Sequence, residues 1–289
     1  MSISVVIIAF KSDHILPNLI SKIPNHHEII VIENSLQNKT KTSLENKYNN
    51  LKVLIPNENL GYSGGVNLGV EKSKNNFVLI VTADVDFTKE MIENFEECIE
   101  NFNDFALLAP VYKNDSIHKN FKVFNNKRIN EINIKKFQLS EVDEIDGALF
   151  LINKKQFDSN KIMDDKFFLY YDSTDLCHNL KKKDKKLFIV KNLKFTHKGT
   201  SSSNKNYEFE ISINRNWHYS WSKFYFFKKN YNYLYALKKV LPNLFRSLIM
   251  YLYFKLISDK KKAKLNKAII SGIANAILLR KSFYRPNIK

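Results

Sequence analysis

Short apolar runs alternate with helically spaced segments along the first third of the chain. Ser4–Phe10 reads as a strand buried on both faces, as in a parallel sheet. Residues 13–23 follow with Ile15, Leu19, Ile20 and Ile23 at helical spacing, and Glu28–Ile32 gives a second strand. A polar helix over 38–48 leads to strand Leu51–Ile55, and a helix over 62–73 leads to strand Phe77–Thr82. A helix over 88–102, with Met91, Ile92, Phe95, Cys98 and Ile99 on one face, precedes strand Ala106–Pro110. This alternation predicts an α/β fold: a mostly parallel sheet flanked by helices on both faces. Ligands of such sheets bind at the C-terminal strand ends. Glu33, the segment Gly61–Gly69 and Asp84 all fall at such ends and can converge on one crevice.

From 111 to 145 the pattern is weaker and more polar, as expected of a loop and edge strands. Apolar order returns at Gly147–Ile152, Phe167–Tyr171 and Leu187–Val190. Beyond Asn204 the character changes, with Trp217, Tyr219, Trp221 and Phe224–Phe227 crowding one segment. The expected division is a domain over 1–208 and a helical, aromatic, basic appendage over 209–289. Within the appendage, Tyr233–Val240, Leu244–Ile257 and Ala268–Leu279 have the spacing of amphipathic helices.

An apolar share of 44% excludes global disorder. Cys98 and Cys177 lie far apart, outside any metal-ligand spacing, and fit a reducing compartment. Residues 1–10 enter the first strand without a basic leader or a small-residue cleavage site, so the expected location is cytoplasmic. No apolar stretch reaches the ~18–20 residues of a membrane span. Leu241–Ser258 is interrupted by Pro242, Asn243, Arg246 and Lys255. The net charge of +17 is polarised: residues 215–289 carry 17 Lys and Arg against the single acid Asp259. With interfacial aromatics, that charge suits an anionic membrane surface, the inner face of the cell membrane for a cytoplasmic protein. An ordinary appendage with a solvated Lys face is the plainer alternative. Nucleic acid is not expected, since no nucleic-acid motif accompanies the charge.

Asn59–Gly69 holds four of the chain's seven glycines. By itself the run is either a turn entering a helix or a cradle for a phosphate-bearing ligand. The Asp84-Val85-Asp86 that ends the next strand adds carboxylates suited to a divalent metal.

Taken in order, these blocks resemble a known family. They are Ser4–Ile8 with Phe10 and Ser12, Val31–Ser35, Asn59–Gly69, the Asp84 block, Asp146-Gly147, Phe167–Leu176 and His197-Lys198-Gly199. The chain is similar, from about Ser4 to Ser203, to the family 2 nucleotide-sugar glycosyltransferases of GT-A fold, nearest the bacterial rhamnosyltransferase-like branch. The resemblance implies a Rossmann-like GT-A sheet. It implies that Ala9, Phe10, Lys11, Glu33 and Asn34 hold the donor nucleoside, Glu33 standing where the family usually has Asp. Asn59, Gly61, Gly64, Asn67, Thr82, Gly147 and Lys198 would complete the donor site. Asp84 would be a ligand of Mg2+ or Mn2+. The family's Asp-x-Asp aligns with Thr82-Ala83-Asp84, but read literally it is Asp84-Val85-Asp86, so Asp86 is a second candidate. His197 would be a third ligand or touch the diphosphate, with Lys198 and the following Ser/Thr run on a closing lid.

Phe167–Cys177 is similar to the family's aromatic strand followed by Glu-Asp-x-Asp-Leu, whose second acid takes the acceptor's proton. Ser173 stands at that position here, and a serine hydroxyl cannot hold a proton unaided. Asp172 taking over, another carboxylate such as Asp175 supplying the base, and an impaired enzyme all remain open. The resemblance thus implies an inverting transfer of sugar from a dTDP- or UDP-sugar to a hydroxyl of a lipid-linked or surface glycan, with a homo-oligomer possible. The alternatives are a weakly active, membrane-bound glycan-binding scaffold and a nucleotidyltransferase. The second would need a Lys/Arg-rich phosphate loop near the N-terminus, and Ala9–Ser12 is too poor in glycine for one.

Overall fold

The structure is a computed structural model and describes residues 2–113, 119–124, 130–197 and 207–285. The chain divides into two compact units. Gly61–Ser63, Asp165–Asp172 and residues 207–285 form the second unit, and the remaining described residues form the first. The division passes through the start of a helix at Gly61 and another at Asp172.

The first unit begins with β1 (Ile3–Ala9), α1 (Leu16–Ile20), β2 (Glu28–Glu33), α2 (Asn38–Glu45), β3 (Leu51–Leu54), α3 (Gly61–Lys72) and β4 (Phe77–Thr82). There follow β5 (Val85–Asp86), α4 (Lys89–Asn101), β6 (Leu107–Tyr112), β7 (Phe121–Lys122), β8 (Glu131–Ile134), β9 (Phe137–Glu141), β10 (Glu144–Ile145) and β11 (Leu149–Asn153). α5 (Asp172–Lys182) and β12 (Leu187–His197) complete it. The sheet order is β3-β2-β1-β4-β11-β6-β12-β9-β8, with β5 paired to β12. β1 to β4 pair in parallel, as do β6 and β12.

Alternation along the strands sorts the core onto two faces. Ile3, Val5, Ile7 and Ala9 of β1 join Leu16, Leu19 and Ile20 of α1 and Met91, Phe95 and Ile99 of α4 in one buried cluster. Val6 belongs to the opposite face, where Gly69 of α3 comes so close that an added Cβ would stand 2.2 Å from a Val6 methyl. The glycine is what lets the helix sit on the sheet there.

Two expectations need correction. The stretch 111–145 holds short strands, with β8 and β9 at the sheet's edge, as its weaker pattern predicts. But the apolar run at Gly147–Ile152 becomes β11, a central strand antiparallel to both β4 and β6 in a sheet expected to be mostly parallel. Among the described residues no helix lies between β6 and β11, and the chain re-enters the sheet reversed. Phe167–Tyr171 is not a strand. Tyr170 and Tyr171 both have φ near +60° (67° and 60°), a conformation no strand accommodates.

The second unit contains α6 (Glu208–Asn230), α7 (Tyr233–Leu256) and α8 (Lys260–Ile277). α7 runs through Pro242 as one helix where the sequence reading has two. Ile213, Trp217, Trp221 and Phe224 of α6 pack with Ala236 and Val240 of α7 and Ala268, Ile273 and Ala276 of α8. No helix among the described residues is long and apolar enough to cross a membrane.

Candidate functional site

Strand register sets the site residues of the first unit level with one another. Ala9 lies opposite Glu33 and Ile8 opposite Thr82, so β1, β2 and β4 end together. β11 runs the other way, and Leu149 lies opposite Val81, which brings Gly147 to the same edge.

At the ends of β1 and β2, Glu33 is fully buried. Its Oε1 accepts the Ser35 N–H at 2.6 Å and the Ser35 hydroxyl. The Ser35 oxygen in turn accepts the Lys11 N–H at 2.7 Å. Lys11 takes a left-handed φ of 54° as the chain leaves β1. Phe10 is closed into a turn by Ser12, whose hydroxyl bonds both its N–H and its carbonyl. Asn34 gives its N–H to the Ala9 carbonyl at 2.9 Å and accepts the Leu60 N–H at 3.2 Å. Glu33 Oε2 is buried without a hydrogen-bond donor among the described residues. Such an oxygen is costly to leave unmatched, and a ligand hydroxyl or N–H suits it chemically.

The glycine run has a packing explanation as well. Gly61 has φ +69°, and a Cβ there would stand 2.3 Å from the Phe168 carbonyl, which accepts the Tyr62 N–H at 2.8 Å. A Cβ on Gly64 would meet the Leu60 side chain at 2.9 Å. Asn67 ties α3 to a loop: its Oδ1 accepts the N–H groups of Ile162 and Met163, and its Nδ2 donates to the Met163 carbonyl. Asn59 lies in the irregular segment before α3. Thr82 turns its hydroxyl to the Ala148 carbonyl at 3.3 Å.

The sharpest chemistry lies where β5 pairs with β12. A register irregularity between Val190 and Lys194 redirects β12, and its end then pairs His197 with Val85 and Thr196 with Asp86. His197 Nε2 thereby lies 3.3 Å from Oδ2 of buried Asp84. On the other side of the ring, Nδ1 lies 3.1 Å from the Tyr112 hydroxyl, which donates to Asp146 Oδ2. When the phenolic proton goes to Asp146, Nδ1 is the donor toward Tyr112, and a neutral ring in that tautomer turns its Nε2 lone pair to the Asp84 carboxylate; in the other tautomer Nε2–H donates to Asp84. Two acceptors facing at this distance, as in the first tautomer, are matched by a proton or by a cation. An imidazole nitrogen and a carboxylate oxygen together are a donor pair that fits a divalent cation.

Burial pushes the Asp146 carboxyl up, against the pull of Tyr112 and the Ala148 N–H. Burial also pushes the Tyr112 hydroxyl up, with Asp146 adding to it, so the phenol keeps its proton. Asp86 is drawn elsewhere, into an ion pair with Lys22. Tyr112 was missed by the sequence reading, and Asp146 was seen only as part of a motif. The one available signal was their position, at the end of β6 and just before β11.

Asp172 opens α5 and is buried; Ser173 follows it half-buried, and Asp175 is buried with Oδ2 accepting from Asn179 at 3.0 Å. The next residue to Ser173, Thr174, donates to Glu144 at 3.0 Å. Lys198 and the Ser/Thr run after it lie outside the described residues. A separate cluster of His26, His27 and Glu96 has metal-like spacing. However, His27 Nδ1 accepts the Ile3 N–H at 3.2 Å, which leaves Nε2 as the protonated nitrogen facing Glu96. That tautomer is the wrong one for a ligand.

Comparison with known proteins agrees with this architecture. The chain is similar to the low-salt glycan biosynthesis hexosyltransferase Agl10 of Haloferax volcanii, with 23% identity over 194 residues. The match covers 63% of this chain and 62% of that protein, so the chain spans about three fifths of the relative's length. A solved mannosyltransferase of Pyrobaculum calidifontis, PcManGT in complex with GDP-Man and Mn2+, aligns with a TM-score of 0.58 at 10% identity, covering 96% of this chain and 88% of that one. GalNAc-T7 with UDP, GalNAc and Mn2+ aligns at 0.52 with 12% identity, covering 79% and 51%. These likenesses show a GT-A-type fold. The family model for glycosyl transferase family 2 matches residues 4–159, more than half of the chain and the whole run from β1 through Asp84 to β11, and the chain belongs to that family.

Proposed function

We propose that the protein is an inverting glycosyltransferase that moves a hexosyl group from a nucleoside-diphosphate sugar to a hydroxyl of a growing glycan. The observation that carries this reading is the Asp84 carboxylate facing His197 Nε2 at the C-terminal ends of the sheet's parallel strands. A divalent cation bound there would neutralise the diphosphate leaving group. Asp84 and His197 would hold it, with Tyr112 in contact with the ring's other nitrogen, Nδ1. Glu33, with its unmatched Oε2, would accept from the ribose or base of a UDP- or dTDP-sugar. Asp172, beside Ser173 at the start of α5, is assigned to take the acceptor's proton. The charge of residues 215–289 supports a cytoplasmic enzyme, peripheral on an anionic membrane and acting on a lipid-linked acceptor.

A second reading, a weakly active glycan-binding scaffold, is favoured by one observation: serine at position 173, where relatives carry the base. Sugar release from UDP- and dTDP-sugars with Mn2+ separates the two. The enzyme reading expects turnover by the natural chain, its loss in Asp84→Asn, and a deep reduction in Asp172→Asn with donor binding retained. Absence of both turnover and donor binding in the natural chain would overturn it. Full turnover in Asp172→Asn would remove only that assignment.

A further inference from the structure

α7 is apolar on two faces, and only one of them is spent inside the helical unit. Ala236, Val240 and Ser247 are buried, and Ala236 and Val240 pack into the core shared with α6 and α8. On the opposite side Phe245, Ile249, Leu252 and Leu256 recur at the spacing of one helical stripe, with exposures of 60%, 66%, 59% and 85%. Leu234, 76% exposed, shares the azimuth but is separated from the stripe by Lys238, which lies on the same line. A helix that only completes a bundle has no use for large apolar side chains on its outer face, and a contiguous exposed patch of this kind marks a docking surface.

The charges around the stripe indicate what docks. α7 contains no acidic residue, and at 100° per residue Lys239 and Arg246 fall on one flank of the stripe and Lys255 on the other. The turn after α7 leads into α8, which opens with Lys260, Lys261, Lys262 and Lys264. A second copy of this chain would set like charges against like. An anionic lipid surface matches both features, since it takes apolar side chains between acyl chains while flanking lysines reach back to the headgroups.

We propose that the outer face of α7 is the membrane-docking element of this protein. Phe245, Ile249, Leu252 and Leu256 insert at the level of the acyl boundary, parallel to the surface, and the flanking basic residues bind anionic headgroups. This deepens the membrane association proposed above and needs neither donor nor acceptor, so it can fail while the transferase reading stands, and the reverse.

The test is co-sedimentation of the full chain with vesicles of phosphatidylcholine alone and of phosphatidylcholine mixed with phosphatidylglycerol, at low and high salt. Binding is expected only to the anionic vesicles. High salt should weaken it, since each basic residue near the surface is worth about 1 kcal/mol, or about fivefold. The double variant Ile249→Glu, Leu252→Glu replaces two exposed residues, should keep the natural circular-dichroism spectrum, and should lose binding by at least roughly tenfold. Lys255→Glu should show a smaller loss that disappears at high salt. The proposal is overturned if the folded natural chain ignores anionic vesicles or if the double variant binds them undiminished. It is equally overturned if the natural chain sediments as a dimer that the double variant dissociates while lipid binding is unchanged.

Discussion

His197 Nε2 stands 3.3 Å from Asp84 Oδ2, although the two residues come from strand ends far apart in the chain. The pairing exists because the last two residues of β12 lie against β5, the two-residue strand that follows Asp84. Neither partner alone would define a site. Together they set an imidazole nitrogen and a carboxylate oxygen within reach of one proton or one cation.

The hydroxyl on the other side of the ring predicts the behaviour of Tyr112→Phe. The variant keeps the ring but loses the hydroxyl that bonds His197 Nδ1 and donates to Asp146. Groups that orient a metal-binding histidine typically matter by roughly 10–100-fold in metal affinity or activity. Calorimetry should show Mn2+-dependent binding of UDP or dTDP weakened by about that factor, with metal-free binding unchanged. An equal loss with and without metal would instead mark Tyr112 as a general packing residue.

Gly69→Ala should destabilise the first unit. The new methyl would stand 2.2 Å from a Val6 methyl, on a strand that cannot retreat because β1 is paired on both sides. Overpacking of this sort costs about 1–3 kcal/mol. Val6→Ala on the same chain should recover part of the loss, so chemical denaturation of the pair of variants gives the check. Equal stability of Gly69→Ala and the natural chain would mean that α3 can shift.

The helical unit should weaken in acid through His218. Its Nε2–H donates to the Tyr284 carbonyl at 2.8 Å, and Nδ1 accepts from Ser282 at 3.0 Å. Burial, with Arg285 adding to it, lowers this imidazole from 6.5 to about 3 despite the opposing pull of the Tyr284 carbonyl. The unfolded ring binds a proton below 6.5 while the folded ring does not, so stability is full above that pH and falls as pH drops toward 3. Between pH 7.5 and 5 the loss amounts to about 2 kcal/mol. Trp217 and Trp221, the chain's two tryptophans, both lie on α6, so their fluorescence reports this unit's unfolding selectively. The acid-induced loss should shrink by about that amount in His218→Gln. The same slope in both proteins would exclude His218 as its source.

Much of the fold is legible in the sequence because it is written in local periodicity. The runs around Val5–Ile8 and Val78–Val81 predict buried parallel strands, and each is one. The helix carrying Met91, Phe95 and Ile99 is equally plain, since its apolar face repeats at the period of the helix itself. The apolar run that forms β11 is legible too, but not its direction, since Leu149–Asn153 is apolar whichever neighbours it pairs with and antiparallel pairing leaves no local mark. Phe167–Tyr171 has the composition of a strand. The left-handed tyrosines arise from packing: Tyr170 against Tyr219, and Tyr171 against Tyr219 and Phe226.

The glycine-rich run shows the same boundary inside the site. Its composition alone announces close approach of backbone to something, and that is as far as composition reaches. That Gly61 makes room for the Phe168 carbonyl and Gly69 for Val6 depends on partners about a hundred and about sixty residues away in the chain. The sequence by itself determined the alternating elements, the strand-end position of Glu33 and Asp84, and the concentration of charge beyond residue 215. These are properties of neighbouring residues, and short-range sterics and periodic burial express them directly. Only the tertiary structure decided that Asp84 meets His197, that Tyr112 and Asp146 orient the ring, and that one face of α7 is left exposed. Those outcomes follow from strand pairing, a register irregularity and helix packing, each of which joins residues that no local pattern connects.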